Sequence, residues 1–211
     1  MTDPYLPDEP ISDPQSFFGQ SRILEEIAGY LCHNQSVSVV GPHGAGKTSL
    51  LIDLSRPEVR SRFGLGDDHL VAYLDCHMLR SSSHQQIFAQ FCTELGAALR
   101  ACGVEPESAL EAGVAHPTRL SFESAVRRLN QRGMRVVLML DDFEHVSANP
   151  RLELSFLNAL RSAAGRYQLV YLTASARPLI DLTYFERDEK ILSSPFFNIF
   201  VPLFLKAHDE G

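Results

Sequence analysis

Four absences narrow the field before any motif is considered. The four cysteines, Cys32, Cys76, Cys92 and Cys102, include no CxxC pair. Cys76-His77 with His84 and Cys92 fits no standard zinc spacing, so reduced thiols in a cytoplasmic protein are expected. A basic, then apolar, leader is missing, because Met1 to Pro14 is acidic and proline-rich. The longest apolar run, Pro195 to Leu205, is interrupted by Asn198 and Pro202 and is too short to cross a bilayer, so no membrane role is expected. Basic residues are also outnumbered: 19 Lys and Arg face 26 Asp and Glu, giving a net charge of −7. That balance offers no electrostatic footprint for phosphate-backbone binding and counts against direct nucleic-acid contact. Internal repeats are absent too.

What is present is an ordinary globular composition, 45% hydrophobic and 21% charged, in 211 residues, enough for one α/β domain. Met1 to Gln15 reads as an extended N-terminal arm, and residues 16–211 as the domain itself. Ile23, Leu24, Ile27, Ala28 and Leu31 have helical spacing, and Val37 to Val40 reads as a buried strand. Leu50, Leu51 and Leu54 line a helix that Pro57 ends, and Leu70 to Leu74 is a second strand. Ser83 is an N-cap for a helix carrying Ile87, Phe88, Phe91, Cys92 and Leu95. Gly103 to Pro117 reads as a break, and Phe122, Ala125, Val126 and Leu129 as the next helix. The wholly apolar Val136 to Leu140 has the character of a central parallel strand. A helix over Leu152 to Ala164, a strand over Leu169 to Thr173 and a last strand over Asn198 to Leu205 complete the pattern. Strands alternating with helices predict an α/β fold with a doubly wound, mainly parallel sheet.

The chemistry concentrates at two strand ends. Gly41-Pro42-His43-Gly44-Ala45-Gly46-Lys47-Thr48 matches G-x-x-x-x-G-K-[ST] in full. Its glycines allow successive backbone N–H groups to turn inward into an anion-binding nest. The helix that follows, with Ser49 in its first turn, adds its positive end. Lys47 is expected to reach the β- and γ-phosphates and Thr48 to ligate Mg²⁺. His43 either leans on phosphate or faces solvent.

Val136 to Leu140 delivers Asp141-Asp142-Phe143-Glu144 at its carboxyl edge, the form of a Walker B segment. Asp141 is expected to hold Mg²⁺ through water and Asp142 to polarise the attacking water, with Glu144 as its substitute. Thr173 or Ser175 could orient water, and Arg177 could sense the γ-phosphate. These readings make Lys47, Asp142 and Arg177 the catalytic candidates. A base-reading Asn/Thr-Lys-x-Asp motif is missing, which favours adenine, so the expected ligands are ATP or ADP with Mg²⁺.

Taken in order, these segments resemble the STAND branch of P-loop ATPases, relatives of AAA+ proteins that act as nucleotide-controlled signalling switches. Asp3-Pro4-Tyr5, Pro10-Ile11 and Asp13-Pro14 lead into Phe17-Phe18-Gly19-Gln20, similar to an opening that ends in aromatic-Gly-Arg. The resemblance implies that Phe18 and Gly19 border the adenine, although Gln20 stands in place of the arginine. Val37 to Val40 with the loop and Ser49-Leu50-Leu51 is similar to the family's Walker A region. Asp141 to Glu144 resembles its Walker B, Thr173 to Leu179 its sensor-1 region, and Ser194 to Asn198 the approach to its fifth strand. The resemblance implies a five-stranded sheet with the sensor-1 strand between the Walker A and Walker B strands. It also implies a helical lid that would begin where this chain stops, at Gly211.

The leading expectation is an ATP-binding, slowly hydrolysing switch with protein partners or nucleotide-dependent self-association. An AAA+-type motor or loader acting on nucleic acid or protein is one alternative, and a non-hydrolysing binding module is another. A small-molecule kinase would need an acceptor pocket that no motif here supplies.

Overall fold

The computed structural model describes residues 14–183 and 195–206, with side chains from Ser21 onward. Five strands form one sheet in the order β2-β3-β4-β1-β5. They are β1 (Ser36–Val40), β2 (His69–Asp75), β3 (Arg135–Asp141), β4 (Leu169–Ser175) and β5 (Phe200–Phe204), and every pairing is parallel. The β4 strand lies between β1 and β3, which is the placement the resemblance implied. All five carboxyl ends therefore share one edge.

Each face of the sheet has its own helical layer, which is why the inner strands read as continuous apolar runs. On one side α1 (Pro14–Cys32) and α2 (Lys47–Ser55) pack Leu24, Ile27, Leu31, Leu51 and Leu54 against Val37, Val39, Val137, Met139 and Leu172. The other side carries α4 (His84–Ala101), α5 (Ser108–Ala115), α6 (Arg119–Gln131) and α8 (Leu154–Arg166). Phe88, Phe91, Phe122 and Phe156 form its centre, with Phe88 and Phe122 stacked at 5.5 Å. Burial of one such ring contributes roughly 1.5–3 kcal/mol, so this cluster is a main source of cohesion. Among the described residues there are also three short α-helices, α3 (Pro57–Arg60), α7 (Glu144–Ser147) and α9 (Leu179–Thr183), and short 3-10 turns.

Helix starts follow from side-chain chemistry. Ser83 and Thr118 each close a capping box, with Gln86 and Ser121 respectively. Pro57 ends α2 as expected and at the same time opens α3 at its first turn. The edge strand β5 carries Pro202, a position where a residue without an N–H is tolerated.

Two readings change. The first helix begins at Pro14, so Pro14 and Gln15 belong to α1 rather than to an extended arm. The rest of that arm, including Asp3-Pro4-Tyr5, Pro10-Ile11 and Asp13, lies outside the described residues, as do Ser194 and Gly211. The stretch from Gly103 to Pro117 is not merely a break, because it contains α5. Gly113 enables that helix to dock: a Cβ there would collide with Cys92 Sγ on α4. Gly103, at φ 72°, does make a turn at the end of α4, whereas Gly113 marks close helix packing.

Candidate nucleotide site

The phosphate-binding loop leaves β1 at Val40 and enters α2 at Lys47. Gly44 and Gly46 adopt left-handed φ angles of 79° and 81°, and a Cβ on either would meet nothing within 4 Å. The concavity is therefore open, and the backbone has the alternation that turns amides inward. Gly46 caps α2 without any side-chain bond, and Leu50 is the first residue to bond back to it, at 3.0 Å. The amides of Lys47, Thr48 and Ser49 are thus left without an intrahelical acceptor, as the first turn of any helix requires, and are available to an anion. Gly41 is glycine for another reason: a Cβ there would come within 3.0 Å of Leu205 Cβ and of its carbonyl oxygen.

Lys47 is 8% exposed, and its ammonium donates to the Gly41 and Pro42 carbonyls, each at 2.8 Å. The cation is thereby held over the loop that it is expected to serve. Ala45 is buried, while Pro42, His43, Gly44, Thr48 and Ser49 are exposed along the rim. Backbone nest, helix end and lysine together fit a polyphosphate, and Thr48 at the rim fits the hydroxyl ligand of a divalent ion.

Asp141 ends β3, 3% exposed. Tyr73 OH donates to its Oδ2 at 2.9 Å and Asp142 N–H to its Oδ1 at 3.0 Å. These bonds fix the carboxylate while leaving lone pairs on both oxygens. Burial, then the bond to Asp141, raises the Tyr73 phenol well above its ordinary value, so it stays a donor. Asp142 follows in the left-handed region at φ 48°, uncommon for a residue with a side chain. Burial also pushes the Cys76 thiol up, reinforced by Asp141, Asp75, Asp142 and Glu144. Among the described residues none of these four carboxylates is in an ion pair, so the edge retains uncompensated negative charge of the kind a divalent cation would neutralise.

The end of β4 joins the two halves. Ser175 O accepts from Gly41 N–H at 3.2 Å, at the start of the loop. Ala174 O accepts from Phe143 N–H at 2.9 Å, in the turn after β3. Ala176 N–H donates to Glu144 Oε1 at 3.2 Å. Thr173 is fully buried, and its hydroxyl and that of its register partner Ser38 are both without hydrogen-bond partners. Ser175 Oγ donates to Arg177 O at 2.8 Å, closing the turn beyond the strand. Arg177 itself is exposed and makes no ion pair among the described residues. Phe18 and Gly19 fall in the first turns of α1, and their side chains lie outside the described residues.

The His77–His145 contact went unread in the sequence. His77 Nδ1 and His145 Nε2 lie 3.2 Å apart, linking the turn after β2 to α7. Two histidines separated by 68 positions carry no local signal of pairing.

A family profile described as an AAA ATPase domain matches residues 16–171. The chain belongs to the AAA ATPase domain family. Solved structures give the same fold at low identity. The ORC2 protein of Aeropyrum pernix, solved as ADPNP–ADP complexes, is 15% identical with a TM-score of 0.59, covering 97% of this chain and 50% of that one. A Walker-type ATPase of Pyrococcus abyssi is 13% identical with a TM-score of 0.63, covering 94% of this chain and 56% of that one. The ORC1 protein of Aeropyrum pernix, solved in complex with DNA, is 15% identical with a TM-score of 0.56, covering 96% of this chain and 47% of that one. The chain spans about half the length of these structures. No curated protein matches it by sequence. Membership in the family implies nucleotide binding. Among the described residues no helix is long and apolar enough to cross a membrane.

Proposed function

We propose that this AAA ATPase domain binds Mg-ATP at the Gly41–Thr48 loop, hydrolyses it slowly and acts as a nucleotide-dependent switch of the STAND type. One observation carries the reading. Left-handed Gly44 and Gly46 leave an open nest at the start of α2, with the buried Lys47 ammonium held across it. In this reading Lys47 contacts the β- and γ-phosphates, and the backbone from Gly41 to Ser49 cradles them. Thr48 and Asp141 hold Mg²⁺, which supplies charge neutralisation at the phosphates. Asp142 polarises the attacking water, and Arg177, unpaired at the end of β4, reaches toward the γ-phosphate. Phe18 and Gly19 lie on the adenine side. Residues 16–211 work as one nucleotide-binding core in the cytoplasm, with protein partners or self-association as output.

In this reading turnover by the chain alone is slow, since an arginine finger supplied by another molecule is what accelerates many P-loop NTPases. Titration calorimetry with ATP and ADP, with and without Mg²⁺, tests the assignment. Binding that needs Lys47 and sharpens with Mg²⁺ supports it, and no binding of either nucleotide overturns it. Steady-state hydrolysis by wild type against Asp142→Asn separates the switch from a module that only binds.

A motor or loader acting on DNA is the second reading. Similarity to the ORC1 structure solved in complex with DNA favours it, and the expectation against direct nucleic-acid contact, drawn from the acidic charge balance, has no support from the comparisons. DNA binding that requires ATP and weakens steeply with salt would establish this reading over the first.

A further inference from the structure

Ala174, Ser175 and Ala176 tie the end of β4 to the neighbouring loop and turn, two of those ties through backbone alone and the third, from Ala176, through a side chain of another segment. Ala174 O takes Phe143 N–H and Ser175 O takes Gly41 N–H, both through backbone alone. Ala176 lies beyond the last register pairs of β4, Leu140↔Thr173 on one side and Val40↔Ser175 on the other. Its N–H has no strand to bond, and because Ala176 is exposed only a side chain that outcompetes water can act as its protein acceptor. Glu144 Oε1 supplies it, at 3.2 Å. Glu144 is the first residue of α7, placed by the left-handed turn at Asp142.

We propose that Glu144 is a positioning residue, a latch that fixes the spacing between the Asp141-Asp142 turn and the Arg177 end of β4. The role rests on the nucleotide reading above, because that spacing matters only if both sides meet one phosphate group. Severing the latch leaves each half folded but lets the end of β4 drift from the acidic turn. Glu144 Oε2 is buried and makes no hydrogen bond among the described residues. A carboxylate bonded through a single oxygen, beside Asp141 and Asp142, gains nothing from its charge where it sits. The latch therefore needs an acceptor of this length, not an anion. That separates it from a general base, for which the charge is the function.

The contrast between Glu144→Gln and Glu144→Ala tests the proposal. Glutamine keeps the carbonyl acceptor and the reach, whereas alanine removes both. In the ligand-free protein, amide hydrogen exchange at Ala176 should quicken several-fold in Glu144→Ala, roughly 5- to 10-fold, as expected for loss of one hydrogen bond. It should stay within about 3-fold of wild type in Glu144→Gln. In single-turnover hydrolysis at saturating Mg-ATP, Glu144→Ala should slow the chemical step about 10-fold with nucleotide affinity nearly unchanged, and Glu144→Gln should recover most of the rate. Unchanged exchange in Glu144→Ala overturns the latch. Glutamine that keeps Ala176 protected yet turns over as poorly as alanine overturns it in favour of a base. Should Glu144→Ala fail to fold, Glu144→Asp, too short by one methylene to reach Ala176, serves the same comparison. A wild-type protein that binds no nucleotide would defeat the proposed function, while the exchange readout would still decide whether the latch exists.

Discussion

The two halves of the phosphate edge are built by opposite means. The Gly41–Thr48 loop is made of backbone: open space at two glycines, and a lysine resting on its own loop carbonyls. The turn after β3 is made of side chains, with Asp141 held by Tyr73 and by the Asp142 amide, Glu144 bound to Ala176, and His145 beside His77. Beyond Gly41, which bonds Ser175 O and abuts Leu205, the loop is thus preorganised by local conformation and depends little on its surroundings. The turn is preorganised by bonds to its neighbours β2 and β4. Substitutions in the loop should therefore change ligand binding and spare stability, while substitutions in the turn should change both.

Lys47→Ala gives the largest expected effect. Removing two charge-assisted contacts to phosphate should weaken nucleotide binding by on the order of 100-fold, about 3 kcal/mol, in titration calorimetry. The melting temperature of the ligand-free protein should fall only modestly, because the Pro42 carbonyl can take water at the exposed rim and only the buried Gly41 carbonyl loses its donor. A melting temperature that collapses would erase the contrast between loop and turn.

Asp141→Ala comes next and should show both signatures. Affinity should lose its dependence on Mg²⁺, and the ligand-free protein should lose about 1–3 kcal/mol in denaturant titration, because the Tyr73 hydroxyl and the Asp142 amide are stranded. Full stability in this variant would mean that the turn does not rely on its side-chain bonds.

The same division explains what was legible in the sequence. The loop was readable residue by residue, because its geometry is local: glycine where φ is positive, and lysine and threonine at the start of a helix. Asp141 was readable as the acid ending an apolar strand. The bonds from Tyr73, Ala176 and His77 were not, since each crosses between distant segments, 68 positions apart for Tyr73 to Asp141. For the fold, the alternation of strands and helices was enough to predict a parallel sheet, and the five-strand order came from resemblance rather than pattern. Helix α5 was missed because Gly103, Pro106, Gly113 and Pro117 read as loop residues, whereas Gly113 lets α5 close on Cys92. Gly113→Ala should accordingly cost about 1–3 kcal/mol of stability by overpacking, with nucleotide affinity untouched.

Alkaline pH offers a graded test of the turn. Burial raises the phenols of Tyr73 and Tyr171 well above their ordinary value of 10.0 in the folded state. As pH rises past 10 the unfolded chain loses these protons first, so the folded state binds more protons and stability falls with pH. The contribution is fully present below pH 10 and disappears through the folded values. Urea midpoints should therefore decline above pH 10, and the decline should be shallower in Tyr73→Phe. Asp141→Asn should lower the Tyr73 phenol toward its ordinary value, seen as an earlier ultraviolet titration step. If that step stays put, Asp141 is not what holds the phenol protonated.

The smallest effect concerns thiol reactivity, which compares the exposed flank with the packed layers. Cys102 is exposed, and Cys32 is half-buried with its thiol pushed up by burial. Cys92 is buried against α5 and raised to about 12, and Cys76 is buried beside the acidic turn and raised well above its ordinary value. Since the thiolate is the reactive form, an aromatic disulfide reagent at pH 8 should label Cys102 first and Cys32 more slowly. Cys92 and Cys76 should react only after denaturant is added. Releasing Cys76 alone, by Asp141→Ala without denaturant, would show that the acidic turn opens as a unit while the α4–α5 contact around Cys92 stays closed. Simultaneous release of both thiols would mean that turn and core unfold together, and the distinction between the two halves of the edge would not extend beneath the surface.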